Sequence, residues 1–262
     1  MPDNNRMPTS TQWTRDAVGD EGREAIDSVF QIICPHTQSQ GTGFLLDSGY
    51  VVTNAHVVEG AVAGGILARS SRGEQVNFSN KTVDPDRDLA VLEPIEDPSG
   101  DLRLELDADF DVGAQVSTWG FPLGHSGPSP LLSVGYLSGF SQERTSSGPV
   151  KQLVVNGAFN DGNSGGPLFL SEDDGIIGVV VAKHAPFTQF QHSALEALAN
   201  NRSGVNFTAE DEHGNGQRFS ESQLVADLMQ RFISLTQVMI GYAVDASELA
   251  DFLDENDIPY NV

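Results

Sequence analysis

The hexapeptide Gly162-Asn163-Ser164-Gly165-Gly166-Pro167 places a serine between glycines, where the chain can turn tightly. Glycine reaches backbone conformations that a Cβ forbids and lets other groups approach the chain closely. Such a turn exposes the serine hydroxyl and lets the N–H groups of Gly162 and Ser164 converge on one small volume. Acyl transfer needs that pairing, a nucleophile beside two donors that hold the oxyanion of a tetrahedral intermediate. The same six residues also fit an ordinary Gly-rich turn, so the rest of the chemistry has to come from elsewhere. A serine is a poor nucleophile until a base takes its proton, and an imidazole titrates near neutrality. Val51-Val52-Thr53-Asn54-Ala55-His56 is an apolar strand running into a histidine. The imidazole in turn needs an acceptor on its far nitrogen, and Asp88 opens the apolar run Leu89-Ala90-Val91-Leu92. His56, Asp88 and Ser164 therefore supply base, orienting acceptor and nucleophile.

Residues so far apart in sequence meet only if a framework of strands brings them together. The apolar runs are short: Val29–Ile33, Gly43–Leu46, Leu89–Leu92, Leu153–Val155 and Ile176–Ala182, with turn residues between them. Short strands at regular intervals with turn punctuation predict an antiparallel all-β barrel or sandwich, and argue against a βαβ fold. A chain of 262 residues can bury a substantial core, as one compact unit or as two small barrels sharing an interface.

At this point four motifs in order carry a resemblance: Gly41-Thr42-Gly43-Phe44-Leu45-Leu46, Thr53-Asn54-Ala55-His56-Val57-Val58, Asp88-Leu89-Ala90-Val91-Leu92 and Gly162–Pro167. Together they resemble the chymotrypsin-fold serine proteases, nearest to the HtrA/Deg branch of trypsin-like peptidases. The spacing is similar too, with 32 residues from His56 to Asp88. The resemblance covers about residues 26–183 and 238–256. It implies two six-stranded antiparallel β-barrels, with His56 and Asp88 on one side of a cleft and Ser164 on the other. Ile240-Gly241-Tyr242-Ala243-Val244 resembles the last barrel strand, followed by a short C-terminal helix.

The implied organisation is a polar lead-in over 1–25 and a protease domain over 26–262. Within that domain the first barrel takes 26–106 and the second 107–262, interrupted by an insertion at 184–237. The insertion departs from the HtrA pattern, in which a short loop joins these strands. It is expected to be partly helical, over Ser193–Ala199 and from a capping-type Ser220 to Met229, with a polar, Gly-rich link over 200–217. No PDZ domain is expected to follow, which puts in doubt the peptide-docking regulation of relatives that carry one.

The resemblance also implies a substrate pocket. Phe159 is expected at its floor, the strand through Val181 and Lys183 along one side, and Gly241 with Ala243 on the other. An apolar floor without a carboxylate argues against cleavage after Lys or Arg and for small or medium aliphatic side chains. Lys183 and His184 near the rim raise the alternative of acidic side chains, although a lysine at a strand end more often snorkels to solvent.

Charge and composition exclude several other classes. Thirty-seven acidic residues against fourteen basic give a net charge of −23, which disfavours nucleic-acid binding because nothing offsets phosphate repulsion. The acids are scattered, and with three lysines (Lys81, Lys151, Lys183) the surface suits a halophilic protein in molar salt. The N-terminus is polar, with neither a signal-peptide pattern nor a run long enough for a bilayer, so a cytoplasmic chain without membrane partners is expected. Cys34 stands alone beside Ile32 and Ile33 and reads as a buried structural thiol. The remaining histidines lack paired ligand spacing, so neither metal nor cofactor is expected. The function implied is a serine endopeptidase acting on polypeptide substrates through an acyl-enzyme, with no oligomeric state specified. The alternative is a catalytically silent chaperone or peptide-binding module on the same fold.

Overall fold

The computed structural model describes residues 10–98, 100–125, 127–170, 175–181, 189–210, 216–235 and 240–262. Two helices lead in, α1 (Ser10–Ala17) and α2 (Asp20–Ser28). Six strands follow: β1 (Val29–Cys34), β2 (Ser39–Leu45), β3 (Val51–Thr53), β4 (Leu67–Ser70), β5 (Gln75–Asp84) and β6 (Leu89–Pro94). They close into a barrel in the order β1-β2-β3-β6-β5-β4. A second barrel is built from β7 (Gln115–Gly120), β8 (Leu131–Arg144), β9 (Pro149–Gly157), β10 (Pro167–Leu170) and β11 (Ile176–Val181), closed by a later strand described below. All neighbouring strands are antiparallel, as the all-β expectation required.

Alternation along each strand divides the apolar side chains between three cores. Val51, Ala90 and Leu92 pack inside the first barrel with Phe30, Ile32 and Phe78. Leu153, Val155, Leu168, Ile177 and Val180 fill the second. The alternate residues face outward into a shared layer: Val52, Leu89 and Val91 from the first barrel meet Phe121, Val179 and Val244 from the second. This shared layer holds the two barrels as one body and fixes the strand ends that carry the chemistry.

Residues Lys183–Val238 form a separate compact unit. It contains α3 (Gln189–Asn200), β12 (Asn206–Glu210), β13 (Gly216–Ser220) and α4 (Glu221–Leu235). Ser220 caps α4, as its sequence context predicts. Ser220 Oγ accepts the N–H of Gln223 (3.2 Å) while Gln223 Oε1 accepts the N–H of Ser220 (3.0 Å), a reciprocal capping box. The polar, Gly-rich link contributes to a β-hairpin that the sequence did not indicate, with Asn206 paired to Ser220 and Glu210 to Gly216. Phe207 is nearly half exposed there, so no buried face imposed the alternation from which a strand is recognised.

The chain returns through β14 (Gly241–Asp245), which pairs with β11 and β9 and closes the second barrel, and ends in α5 (Ala246–Glu255). Asp245 caps α5 by accepting the N–H of Ser247 at 2.9 Å. Leu249, Phe252 and Leu253 of that helix are buried in the shared layer.

Cys34 is buried, donates to the Val57 carbonyl oxygen at 3.5 Å, and its pKa is raised by burial. A raised pKa and closed surroundings make a poor thiolate. The native protein should therefore react with Ellman's reagent at least about 100-fold more slowly than the guanidinium-unfolded chain. Equal rates in the two states would contradict a closed first barrel.

Candidate active site

β3 ends at Thr53, and the chain then turns to present His56 at the surface. The turn between β5 and β6 delivers Asp88 to the same place. His56 Nδ1 lies 2.8 Å from Asp88 Oδ2 and 3.0 Å from Oδ1, and the His56 N–H donates to Oδ1 at 3.0 Å. A carboxylate accepts only, so Nδ1 carries a proton, and in the neutral ring the lone pair is on Nε2. That lone pair is what a general base uses.

Asp88 achieves this in a backbone conformation that non-glycine residues seldom adopt, with φ of 56°. Its carbonyl oxygen compensates by accepting the Ala55 N–H (3.2 Å) and Asn54 Nδ2 (2.9 Å). The segment just before His56 and the residue that orients it are therefore stitched together by main chain as well as side chain. Asn54 was visible in the motif, but nothing in its local sequence signals this role.

The glycine turn was expected to expose Ser164, but the residue is only 4% exposed, because the turn is tied to both barrels. Its carbonyl oxygen accepts the Thr42 N–H at 2.8 Å, and the Gly165 N–H donates to the Val180 carbonyl at 2.8 Å. Thr42 is the residue the sequence left unassigned. Its hydroxyl donates to the Gly162 carbonyl oxygen (2.6 Å) and accepts the Phe121 N–H (3.0 Å). Its own carbonyl accepts the hydroxyl of Thr53 at 2.7 Å. One threonine on β2 thus links the serine turn to the strand that leads to His56.

The orientation of the peptide before Gly162 is also determined. The Asp161 carbonyl oxygen accepts the Leu123 N–H at 2.7 Å. No described peptide bond is cis, so the Gly162 N–H points away from the Phe121–Leu123 segment. Gly162 and Gly165 both have positive φ, 89° and 85°. A methyl on Gly162 would overlap the Phe121 carbonyl oxygen, and one on Gly165 would overlap the Thr42 carbonyl and the Thr53 hydroxyl.

Gly165→Ala therefore adds strain and overlap together. It should cost about 3 kcal/mol, a fall in melting temperature of about 6–12 °C for a chain of this size. Calorimetry of the two proteins measures it directly, and an unchanged melting point would contradict the packing of this turn.

The expected pocket residues fall into two groups. Phe159 and Ala243 are buried together in the second barrel's core. Gly241 lies against the Phe159 ring, so closely that a methyl there would come within 2.6 Å of Cδ2. Val181 pairs with Tyr242 but belongs to the shared layer, on the opposite face of β11 from Val180. Lys183 and His184 lie outside the described residues. A cavity of about 570 Å³ beside α2, lined by Leu102, Leu104, Trp119 and Phe169, contains none of these residues. Chemistry, and not cavity size, marks the site.

Around Asp88 the charged groups are strongly engaged. Hydrogen bonds from Ser146 and Ser147 lower the pKa of Asp86, and the Arg87 guanidinium lowers that of Glu255. The bond to Glu255 raises the pKa of Arg87 further. Among the described residues, no group of three or more histidine, cysteine or acidic side chains could hold a metal, and no helix is long and apolar enough to cross a membrane.

The family model described as a trypsin-like peptidase domain matches residues 41–179. "Protease Do-like 1, chloroplastic" of Arabidopsis thaliana is 32% identical over 222 residues, 80% of this chain and 44% of that protein. A "Probable periplasmic serine endoprotease DegP-like" of Halomonas elongata is 36% identical over 145 residues, 54% of this chain and 29% of its own. The chain thus spans less than half the length of these relatives. Among solved structures, the active form of the Rv3671c protease of M. tuberculosis superimposes with a TM-score of 0.60 at 18% identity, covering 93% of this chain and 86% of that one. The HtrA-type protease AlgW with a tripeptide gives 0.58 at 20% identity, over 91% and 64% of the two chains. These structural likenesses share the two-barrel fold.

Proposed function

Because the chain belongs to the trypsin-like peptidase family, with HtrA/DegP proteases among its relatives, we propose that it is a serine endopeptidase with His56, Asp88 and Ser164 as its catalytic triad. The observation that carries this reading is the His56–Asp88 pair, which leaves Nε2 free to act as a base on the barrel bound to the Ser164 turn through Thr42.

In the proposed mechanism His56 Nε2 takes the Ser164 proton as Oγ attacks the scissile carbonyl. The N–H groups of Gly162 and Ser164 hold the resulting oxyanion, where a single donor is worth about 10²–10³ in rate. His56 then returns the proton to the leaving amine, the peptide bond breaks, and the acyl-enzyme remains. A water, deprotonated by the same imidazole, attacks the ester and restores Ser164. Asp88 holds the imidazole in the productive tautomer and stabilises the imidazolium at each step.

The burial of Phe159 against Gly241 supports an apolar pocket floor, which suits a small or medium aliphatic side chain better than a charged one. Polypeptides are the proposed substrates. The highly acidic composition supports a proposal that the enzyme works in molar salt, where self-repulsion is screened.

The test is cleavage of a diverse peptide library by the purified chain, with and without molar KCl and beside Ser164→Ala. Cuts after aliphatic residues, faster in KCl and absent from the variant, are expected. A predominance of cuts after Glu or Asp would replace the aliphatic assignment with the acidic one. No hydrolysis under any condition would favour the silent peptide-binding module.

A further inference from the structure

Asp88 occupies a strained conformation at the end of a short turn, and the described bonds show how that turn is gripped. Inside it, Asp84 Oδ1 accepts the N–H groups of Asp86 (2.9 Å) and Arg87 (3.0 Å). Further contacts reach the turn from the β8–β9 hairpin and from α5. Asp86 Oδ2 accepts the hydroxyl of Ser146 (2.7 Å) and the N–H of Ser147 (3.0 Å), at the tip of the β8–β9 hairpin. Arg87 forks onto Glu255 of α5, Nη1 to Oε2 and Nη2 to Oε1, each at 2.8 Å. The same guanidinium reaches Asp84 at 2.8 Å and Glu248 at 3.3 Å. Glu248 passes the link on, since its other oxygen accepts the Lys151 N–H of β9 at 2.9 Å.

An isolated surface ion pair would carry no such weight. This one differs in three respects. Its geometry is bidentate, which only a guanidinium supplies. Three carboxylates share one cation whose side chain is only 18% exposed, so removing the cation leaves like charges facing each other. It also joins elements of the two barrels at the residue adjacent to the one that orients His56.

We infer that Arg87 is a positioning residue: it clasps the Asp84–Asp88 turn to α5 and thereby holds the Asp88 carboxylate on His56. The inference rests on the triad reading above. Displacements of about 1 Å at such a carboxylate can cost about 10² in rate, so a clasp remote from substrate still controls turnover.

Arg87→Met and Arg87→Lys, each alone and each combined with Asp88→Asn, test this with two readouts. One is peptide hydrolysis per Ser164 site titrated with a fluorophosphonate. The other is the downfield proton NMR resonance of the His56 Nδ1–H, which reports the bond to Asp88 whether or not any peptide is cut. Arg87→Met should lower kcat per titrated site about 10- to 100-fold with KM within about twofold. It should also shift or erase the His56 resonance, and add less than about threefold to the loss caused by Asp88→Asn. Arg87→Lys should recover part of kcat, since it restores the charge without the fork. Should Arg87→Met fail to fold, Glu255→Gln removes half the fork from an exposed partner, and a smaller shift of the same resonance is expected. An unmoved His56 resonance with kcat within about threefold of wild type, or losses fully additive with Asp88→Asn, would overturn the inference. A wild-type chain that cuts no peptide would refute the protease reading, while the resonance would still decide the positioning role.

Discussion

Replacing Ser164 by alanine should lower peptide turnover by roughly 10⁶-fold and leave the barrels folded. The size of the effect follows from what is removed. In the proposed mechanism the nucleophile and the atom that the acyl group occupies are the same oxygen, and no neighbouring hydroxyl in the hexapeptide replaces it. Stability should change little, because main-chain bonds and the Thr42 hydroxyl hold the turn. The Ser164 carbonyl bonds to Thr42 and the Gly165 N–H to Val180, and both bonds survive loss of the hydroxyl. Parallel measurements of kcat and of thermal melting separate the two outcomes. Hydrolysis persisting within about tenfold of wild type would assign the chemistry to another group.

Asp88→Asn should be the next most damaging change, at roughly 10⁴ in kcat near neutral pH. The asparagine can keep one oxygen where Asp88 Oδ1 now accepts the His56 main-chain N–H. Its amide nitrogen then faces His56 Nδ1, at the position where Oδ2 accepts at 2.8 Å. A donor there forces Nδ1 to become the acceptor, so the proton moves to Nε2 and the ring has no lone pair left there for the proposed proton transfer. The negative charge that stabilises the imidazolium is lost as well. Packing is nearly unchanged, so the melting temperature should stay close to wild type. A loss smaller than about tenfold in kcat, with a normal fold, would show that His56 does not depend on this carboxylate for its tautomer.

The residues proposed as the triad stand out in the sequence because each sits in a motif whose side chains are constrained locally. A serine in a glycine turn, a histidine at the end of an apolar strand and an aspartate opening another each announce themselves. The barrel strands were legible where both faces are buried, as in Ile176–Val181. β8 escaped notice because its outward face carries Leu132, Val134, Tyr136 and Phe140 exposed to solvent, which blurs the alternation. Its pairing with β7 and β9, and not its own pattern, defines it. The β12–β13 hairpin was missed for the related reason given above.

Thr42 illustrates what short-range reading cannot supply. It bonds to Gly162, 120 residues away, and to Phe121, 79 residues away, so its role exists only once both barrels have formed. Arg87 is similar: its neighbours in sequence make it one charge among several, while its partners Glu248 and Glu255 lie 161 and 168 residues further on. In both cases a polar residue beside a recognisable motif turns out to tie that motif to the opposite barrel.

The central claim is that Ser164 is an activated nucleophile, and covalent labelling tests it most directly. Intact-mass analysis after exposure to a fluorophosphonate, followed by peptide mapping, should find one adduct, located on Ser164. The adduct should be absent from Ser164→Ala and form far more slowly in His56→Ala. Failure of the native protein to label in either low or molar salt, or an adduct at any other residue, would contradict the account.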